Sequence, residues 1–235
     1  MHTNLSDGSL SMRQLVDMYG RLGFGAIAIT DHLCEQKTFL GKAAKYLDKT
    51  LKEANFDYYL ELIHEEAERA KKLYNMIVIP GVEITKNSLL NHRSAHILIL
   101  GISKFIPADL EIDQVLSEAR NQGAVSVAAH PVFTQQIEKQ TYHLWDRKEE
   151  LKSKIDLWEV ASGQHLFPSV VKEKLAKIAN SDLHRKEQLS SWKTRLSCER
   201  KQEAILEDLK KQNIDFYYFD SRYSNLTKDI FLANL

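Results

Sequence analysis

The stretch Ala26-Ile27-Ala28-Ile29-Thr30-Asp31-His32 decides how this chain folds. A short apolar run rich in β-branched residues, following glycines, makes a strand buried on both faces, the kind found in parallel sheets. An aspartate and a histidine stand at its C-terminal end.

Outward from this stretch the same arrangement returns. Ile77-Val78-Ile79-Pro80-Gly81-Val82-Glu83 ends in a carboxylate, Ala124-Val125-Ser126-Val127-Ala128-Ala129 runs into His130-Pro131, and Lys177 to Ser181 leads to Asp182 and His184. Ile155 to Val160 is a further strand. His96-Ile97-Leu98-Ile99-Leu100 differs, because its histidine comes first. A short polar stretch holding Asn87, Ser88 and Asn91 joins it to the strand before, so an antiparallel hairpin is expected, which would bring His96 to the same end as the others.

Helical spacing fills the intervals. Met12, Leu15, Val16, Tyr19 and Leu22 follow Ser11, with Gln14 placed for a capping box, and predict a helix ending near Gly23. Gln36 to Tyr74 is charged, with Leu60, Ile63, His64 and Ala67 at helical spacing, and predicts one or two helices. Asp109 to Asn121, Val170 to Ala176 and Lys201 to Gln212 read as helices, and Ile214 to Phe219 as a last strand. Strands alternating with helices predict a parallel sheet or barrel in one domain spanning 1–235.

In such a barrel the C-terminal strand ends converge on one mouth, where active sites form. Imidazole nitrogens and carboxylate oxygens gathered there, without a thiolate, suit Zn, Mn or Fe rather than calcium. A single histidine after a strand is more often a hydrogen-bonded structural residue; repetition at four strand ends is what favours a metal centre. His64, His92, His143 and His165 have no such placement, and Trp158 and Trp192 read as packing residues.

Composition narrows the partners. Lys plus Arg and Asp plus Glu number 32 each, so no overall field favours long nucleic acid or an anionic membrane. The first residues lack a secretory pattern and no apolar run nears the ~20 residues of a membrane span, which predicts a cytoplasmic protein. Cys34 and Cys198 form no CxxC pair, so they read as reduced thiols.

His2-x-x-x-x-Asp7-Gly8, Thr30-Asp31-His32, Gly81-Val82-Glu83, His96, His130-Pro131 and Ser181-Asp182-x-His184, in this order, resemble the PHP (polymerase and histidinol phosphatase) family over nearly the whole chain. The resemblance implies an α/β fold, a distorted (β/α)7 TIM-like barrel, with two or three divalent ions (Mn, Zn or Fe) at its mouth. It implies that His2, Glu83 and Asp182 hold one ion, that Asp7, His32 and His184 hold a second and carry catalysis, and that His96 and His130 hold a third with Glu83 bridging. The expected chemistry is hydrolysis of phosphate esters by metal-activated water, on a small phosphorylated metabolite or short nucleotide. Two other readings stand beside it: a nuclease acting on nucleic-acid ends, and an inactive barrel serving as a binding module. Lys193, Arg93 and Arg185 are candidates for gripping the phosphate.

The sequence departs from the family at its start. Family members begin with a strand ending in Asp-x-His-x-His, whereas this sequence opens at Met1-His2, so a barrel short of one strand and one ligand is expected. A start codon lying further upstream and a genuinely shortened, inactive form are the competing explanations, of which we favour the first.

Overall fold

The computed structural model describes residues 1–37, 50–87, 94–132 and 142–223. Helix α1 (Met12–Arg21) opens on the predicted capping box: the Ser11 hydroxyl accepts from the Gln14 N–H and the Gln14 side chain accepts from the Ser11 N–H. It is followed by β1 (Ala26–Ile29), β2 (His32–Cys34), α2 (Glu53–Tyr74), β3 (Ile77–Lys86), β4 (Ala95–Leu100) and α3 (Ile112–Asn121). Next come β5 (Val125–Ala128), α4 (Tyr142–Asp146), α5 (Lys148–Leu151), β6 (Leu157–Ser162), β7 (His165–Leu166) and α6 (Pro168–Lys172). The last elements are β8 (Lys177–Asn180), β9 (Ser191–Leu196), α7 (Gln202–Lys211) and β10 (Ile214–Phe219).

One sheet holds eight strands in the order β1-β3-β4-β5-β6-β7, with β2 beside β3 and β8 beside β6. The β1–β3, β5–β6 and β6–β8 pairs are parallel, and β4 runs antiparallel to both of its neighbours. The expected hairpin between β3 and β4 is therefore present. Alternation along these strands sends Ile79, Leu98, Leu100, Val127, Leu157 and Ile178 to one face, where they form a single cluster with Ile205, Leu206 and Leu209 of α7. Side chains from β3 through β8 can meet in one cluster only if the sheet curls, and α7 closes the inside of the curl. The opposite face packs under α1, α2 and α3 through Leu15, Val16, Phe56, Ile63, Val115 and Leu116. The result is an α/β fold with a curled, partial barrel.

Two sequence expectations change. The strand Ile214 to Phe219 does not extend the barrel; it pairs antiparallel with β9 in a separate two-stranded sheet. The partner strand was hidden because Ser191-Trp192-Lys193-Thr194-Arg195-Leu196 carries two cationic residues, although Lys193 is buried. Helix α6 starts two residues earlier than expected and ends at Lys172, since Pro168 suits a first helical turn and the backbone is extended again at Glu173. Among the described residues no helix is long and apolar enough to cross a membrane.

Candidate metal centre

The mouth is assembled from backbone outward, and Asp31 is its anchor. Asp31 lies between β1 and β2, fully buried, and accepts from the Thr3 N–H at 2.7 Å, the Thr3 hydroxyl at 2.8 Å and the Ser6 hydroxyl at 2.5 Å. These bonds clamp the first residues against the end of β1, as does that from the Thr30 N–H to the Met1 carbonyl at 2.8 Å, while the His2 N–H ties them to the Leu183 carbonyl beyond β8 at 2.9 Å. His2 and Asp7 are thereby fixed between the ends of β1 and β8. Gly8 is required in this turn, because a Cβ there would run into the His2 carbonyl.

The remaining donors come from strand ends, as expected, except Glu83, which sits inside β3 because that strand runs on to Lys86 alongside β4. His32 opens β2 and pairs in register with Glu83 of β3, His96 enters from the start of antiparallel β4, and His130 and Asp182 follow β5 and β8. Both His130 (φ 29°) and Asp182 (φ 45°) adopt the left-handed backbone region, which side chains other than glycine enter at a cost and mostly at functional positions.

All eight sequence-predicted donors come together, in three overlapping groups whose ligand atoms lie within 4.8 Å of one another: His2, Asp7, His32 and His184; Glu83, His96 and His130; and His2, Glu83 and Asp182. The grouping implied by resemblance differs from this only in that His2 also reaches the second set. His2 Nε2 lies 3.2 Å from Glu83 Oε2 and 3.4 Å from Asp182 Oδ1. Asp7 is 3.5 Å from His32 Nε2 and 3.4 Å from His184 Nε2, and His130 Nε2 is 3.6 Å from Glu83 Oε1. Most of these separations exceed an ordinary hydrogen bond, whereas two ligands about 2.1 Å from a shared tetrahedral ion stand about 3.4 Å apart. His96 Nδ1 departs from the pattern, sitting 2.6 Å from Glu83 Oε1, so the third group must open to admit an ion. His2 Nδ1 is buried without a hydrogen-bond partner, and its ring stacks on those of His32 at 4.4 Å and His184 at 4.0 Å. Stacked, buried imidazoles repel one another if all are protonated, and neutral ones aim lone pairs at the carboxylates' side of the cluster. The donor set therefore fits divalent cations.

The electrostatics agree. Burial opposes charge on His2, yet the Asp182 and Glu83 carboxylates outweigh it and raise its pKa to about 10. His130 is likewise pushed up to about 10, burial being outweighed by Glu83 and Asp182. Burial would raise Glu83 and Asp7, but the surrounding imidazoles hold both well below the usual carboxylate range. The pocket thus demands positive charge, from protons or from cations. Glu159 of β6 lies behind His130, with burial pushing it up to about 7 against the pull of the His130 charge.

The phosphate-binding candidates are less gathered. Lys193 is 7% exposed, and its ammonium donates to the Leu189 and Ser191 carbonyls at 3.2 Å and contacts the Ser191 hydroxyl. Burial lowers its pKa to about 7. With His2, Glu83 and Asp182 it lines a largely apolar cavity of about 150 Å³ inside the curl. Arg185 is exposed beside His184, and Arg93, like His92, lies outside the described residues. His64 and His165 are exposed, and Trp158 is core. Sequence reasoning missed Glu159, whose signal was a carboxylate set inside the apolar strand Leu157-Trp158-Glu159-Val160.

A curled α/β sheet with histidines and carboxylates at one mouth defines a candidate metal centre, and comparison with known proteins narrows the fold further. No family model matches the chain, and no curated protein matches it in sequence. A two-domain protein from Bacteroides vulgatus ATCC 8482, containing a predicted PHP-like metal-dependent phosphoesterase, shares the fold with a TM-score of 0.67 and 24% identity. The alignment covers 93% of this chain and 63% of that one, so this chain spans less than two thirds of that protein. An amidohydrolase from Chromobacterium violaceum, solved with bound sulfate and no metal, matches with a TM-score of 0.55 and 14% identity over 91% of this chain and 95% of that one. The chain thus shares its fold with a protein that contains a predicted PHP-like domain, in line with the fold the order of the motifs led us to expect.

Proposed function

We propose that this chain is a PHP-type, metal-dependent hydrolase of phosphate esters acting on a small phosphorylated metabolite or short nucleotide. The observation that carries this reading is the spacing of the donors: Asp7, Glu83 and Asp182 stand 3.2 to 3.7 Å from the imidazoles of His2, His32, His130 and His184, close to the separation of ligands sharing an ion, with the His96–Glu83 contact at 2.6 Å the exception. His2, Glu83 and Asp182 would hold one ion, Asp7, His32 and His184 a second with His2 alongside, and Glu83, His96 and His130 a third. Bound ions would neutralise the ester's charge and acidify a water for attack on phosphorus.

The protein's own side chains orient this chemistry. Asp7 is a candidate catalytic residue because, among the described carboxylates, it is the one that meets both His32 and His184, with 20% of its side chain exposed at the mouth. Exposed Arg185 is the candidate to meet the phosphate there. Lys193 would reach a substrate only by giving up its carbonyl partners.

Metal analysis of the purified protein, with hydrolysis assays on an aryl phosphate and a bis-aryl phosphate, tests the reading. Two or three equivalents of Mn, Zn or Fe and metal-dependent turnover of either ester are expected. Glu83→Ala should lose the two groups that contain Glu83 together with activity. A protein that takes up no divalent metal would end the proposal.

A further inference from the structure

His130 cannot hold its place by strand pairing. The β5–β6 ladder ends at the Ala128–Trp158 pair, and two residues later His130 turns into the left-handed region. The acceptor supplied instead is a side chain. Glu159 Oε2 takes the His130 N–H at 2.6 Å, a length typical of a strong, charge-assisted bond, while Glu159 Oε1 takes the Asn180 Nδ2–H at 2.7 Å. Glu159 is 1% exposed, and the register between β6 and β8 shifts just after it, between Glu159 and Ala161. Such irregularities re-aim side chains, here toward the inside of the curl.

With both oxygens engaged, Glu159 belongs to none of the three donor groups. It joins β5, β6 and β8 at the level of the mouth, reaching His130 directly and Asn180 two residues before Asp182. Removing it would free the backbone at His130, whose ring meets Glu83 at 3.6 Å.

We propose that Glu159 is a positioning residue, which holds the backbone of His130 so that its ring faces Glu83 and completes the third ion site. The inference rests on the metal-dependent reading above. It predicts a difference between substitutions that a merely structural role would not produce. Glu159→Gln keeps a carbonyl oxygen for the His130 N–H, and the Asn180 amide can flip to meet the new NH2, so geometry survives without the charge. Glu159→Ala leaves the His130 N–H without its acceptor.

The test is titration of metal-free wild type, E159Q, E159A and H130A with Zn2+ and Mn2+, counting bound ions, alongside the amide NMR signal of His130 in the metal-free proteins and a thermal melt. E159A is expected to bind one ion at least tenfold more weakly, the same ion that H130A loses, with no further loss in the double variant. E159Q is expected to stay within about threefold of wild type. The His130 amide should move upfield in E159A, a readout that needs no metal. If E159A does not fold, N180A, which frees Glu159 from one side only, should weaken the same ion. Unchanged uptake by E159A, or by N180A where it replaces E159A, overturns the proposal alone. No uptake by wild type overturns the functional reading, and the proposal with it.

Discussion

At the scale of single residues, the centre depends on groups that never touch an ion. The Thr85 hydroxyl donates to the Glu83 carbonyl at 3.3 Å and meets His32 Nδ1 at 2.7 Å. With its proton engaged, the hydroxyl accepts from His32 Nδ1–H, which leaves the Nε2 lone pair facing Asp7. Thr85→Val should therefore lower affinity for the ion of the Asp7 group by roughly 10- to 100-fold with little change in melting temperature, as metal titration and a thermal melt would reveal. Asp31 acts at one further remove. Because it accepts three bonds from Thr3 and Ser6 while fully buried, Asp31→Ala leaves three donors unmet and should cost about 3–5 kcal/mol. Denaturant unfolding measures that loss, and faster amide exchange across residues 1–8 should accompany it. A change below about 1 kcal/mol would show that the clamp is not Asp31.

At the scale of elements, the packing of β1, β3 and β4 is set by one glycine. A Cβ on Gly81 would stand 2.9 Å from the Ile99 carbonyl oxygen, 2.9 Å from Thr30 Cγ2 and 3.0 Å from the Ile29 carbonyl oxygen, and backbone oxygens cannot swing aside as a side chain can. The Tyr59 hydroxyl donates to the Gly81 carbonyl at 2.8 Å and binds α2 to the same point. Gly81→Ala should thus destabilise by about 1–3 kcal/mol in denaturant unfolding, through strand separation rather than lost burial. Elements such as these were legible where physical chemistry is local. Apolar runs ending in Asp31-His32, Glu83 and His130 announced buried strands with a donor, His32 in the first, at or beside each tip, and the polar connection before His96 announced its reversed direction. What could not be read depended on tertiary contact. Nothing local says that Ser191–Leu196 pairs with Ile214–Phe219 away from the barrel, or that Glu159 reaches across to His130. His2 was legible only through motif order, since its place depends on Asp31, twenty-nine residues on.

At the scale of the whole molecule, a chain with equal numbers of acidic and basic residues concentrates negative charge at one mouth, and this makes metal uptake a proton exchange. In the metal-free protein His2 and His130 have pKa values of about 10, so near pH 7.5 both rings carry protons that an ion must displace. The carboxylates of Glu83 and Asp7, held low, are already ionised and release nothing. Apparent affinity should therefore rise with pH, by up to two decades per unit if both rings exchange, and level off near pH 10. Calorimetry at pH 7.5 in two buffers of different ionisation enthalpy should detect between one and two protons released. The same shifts govern the stability of the metal-free fold. Because both folded pKa values lie above the ordinary 6.5, their stabilising contribution is complete below pH 6.5 and is lost as pH climbs through 10. Metal-free protein should consequently melt at falling temperature between pH 7 and 10, whereas protein loaded with Zn2+ or Mn2+ should resist that decline, since the ions supply the charge the protons leave behind. Parallel melting curves with and without metal across that range would mean that the cluster's charge is balanced by something other than these two histidines.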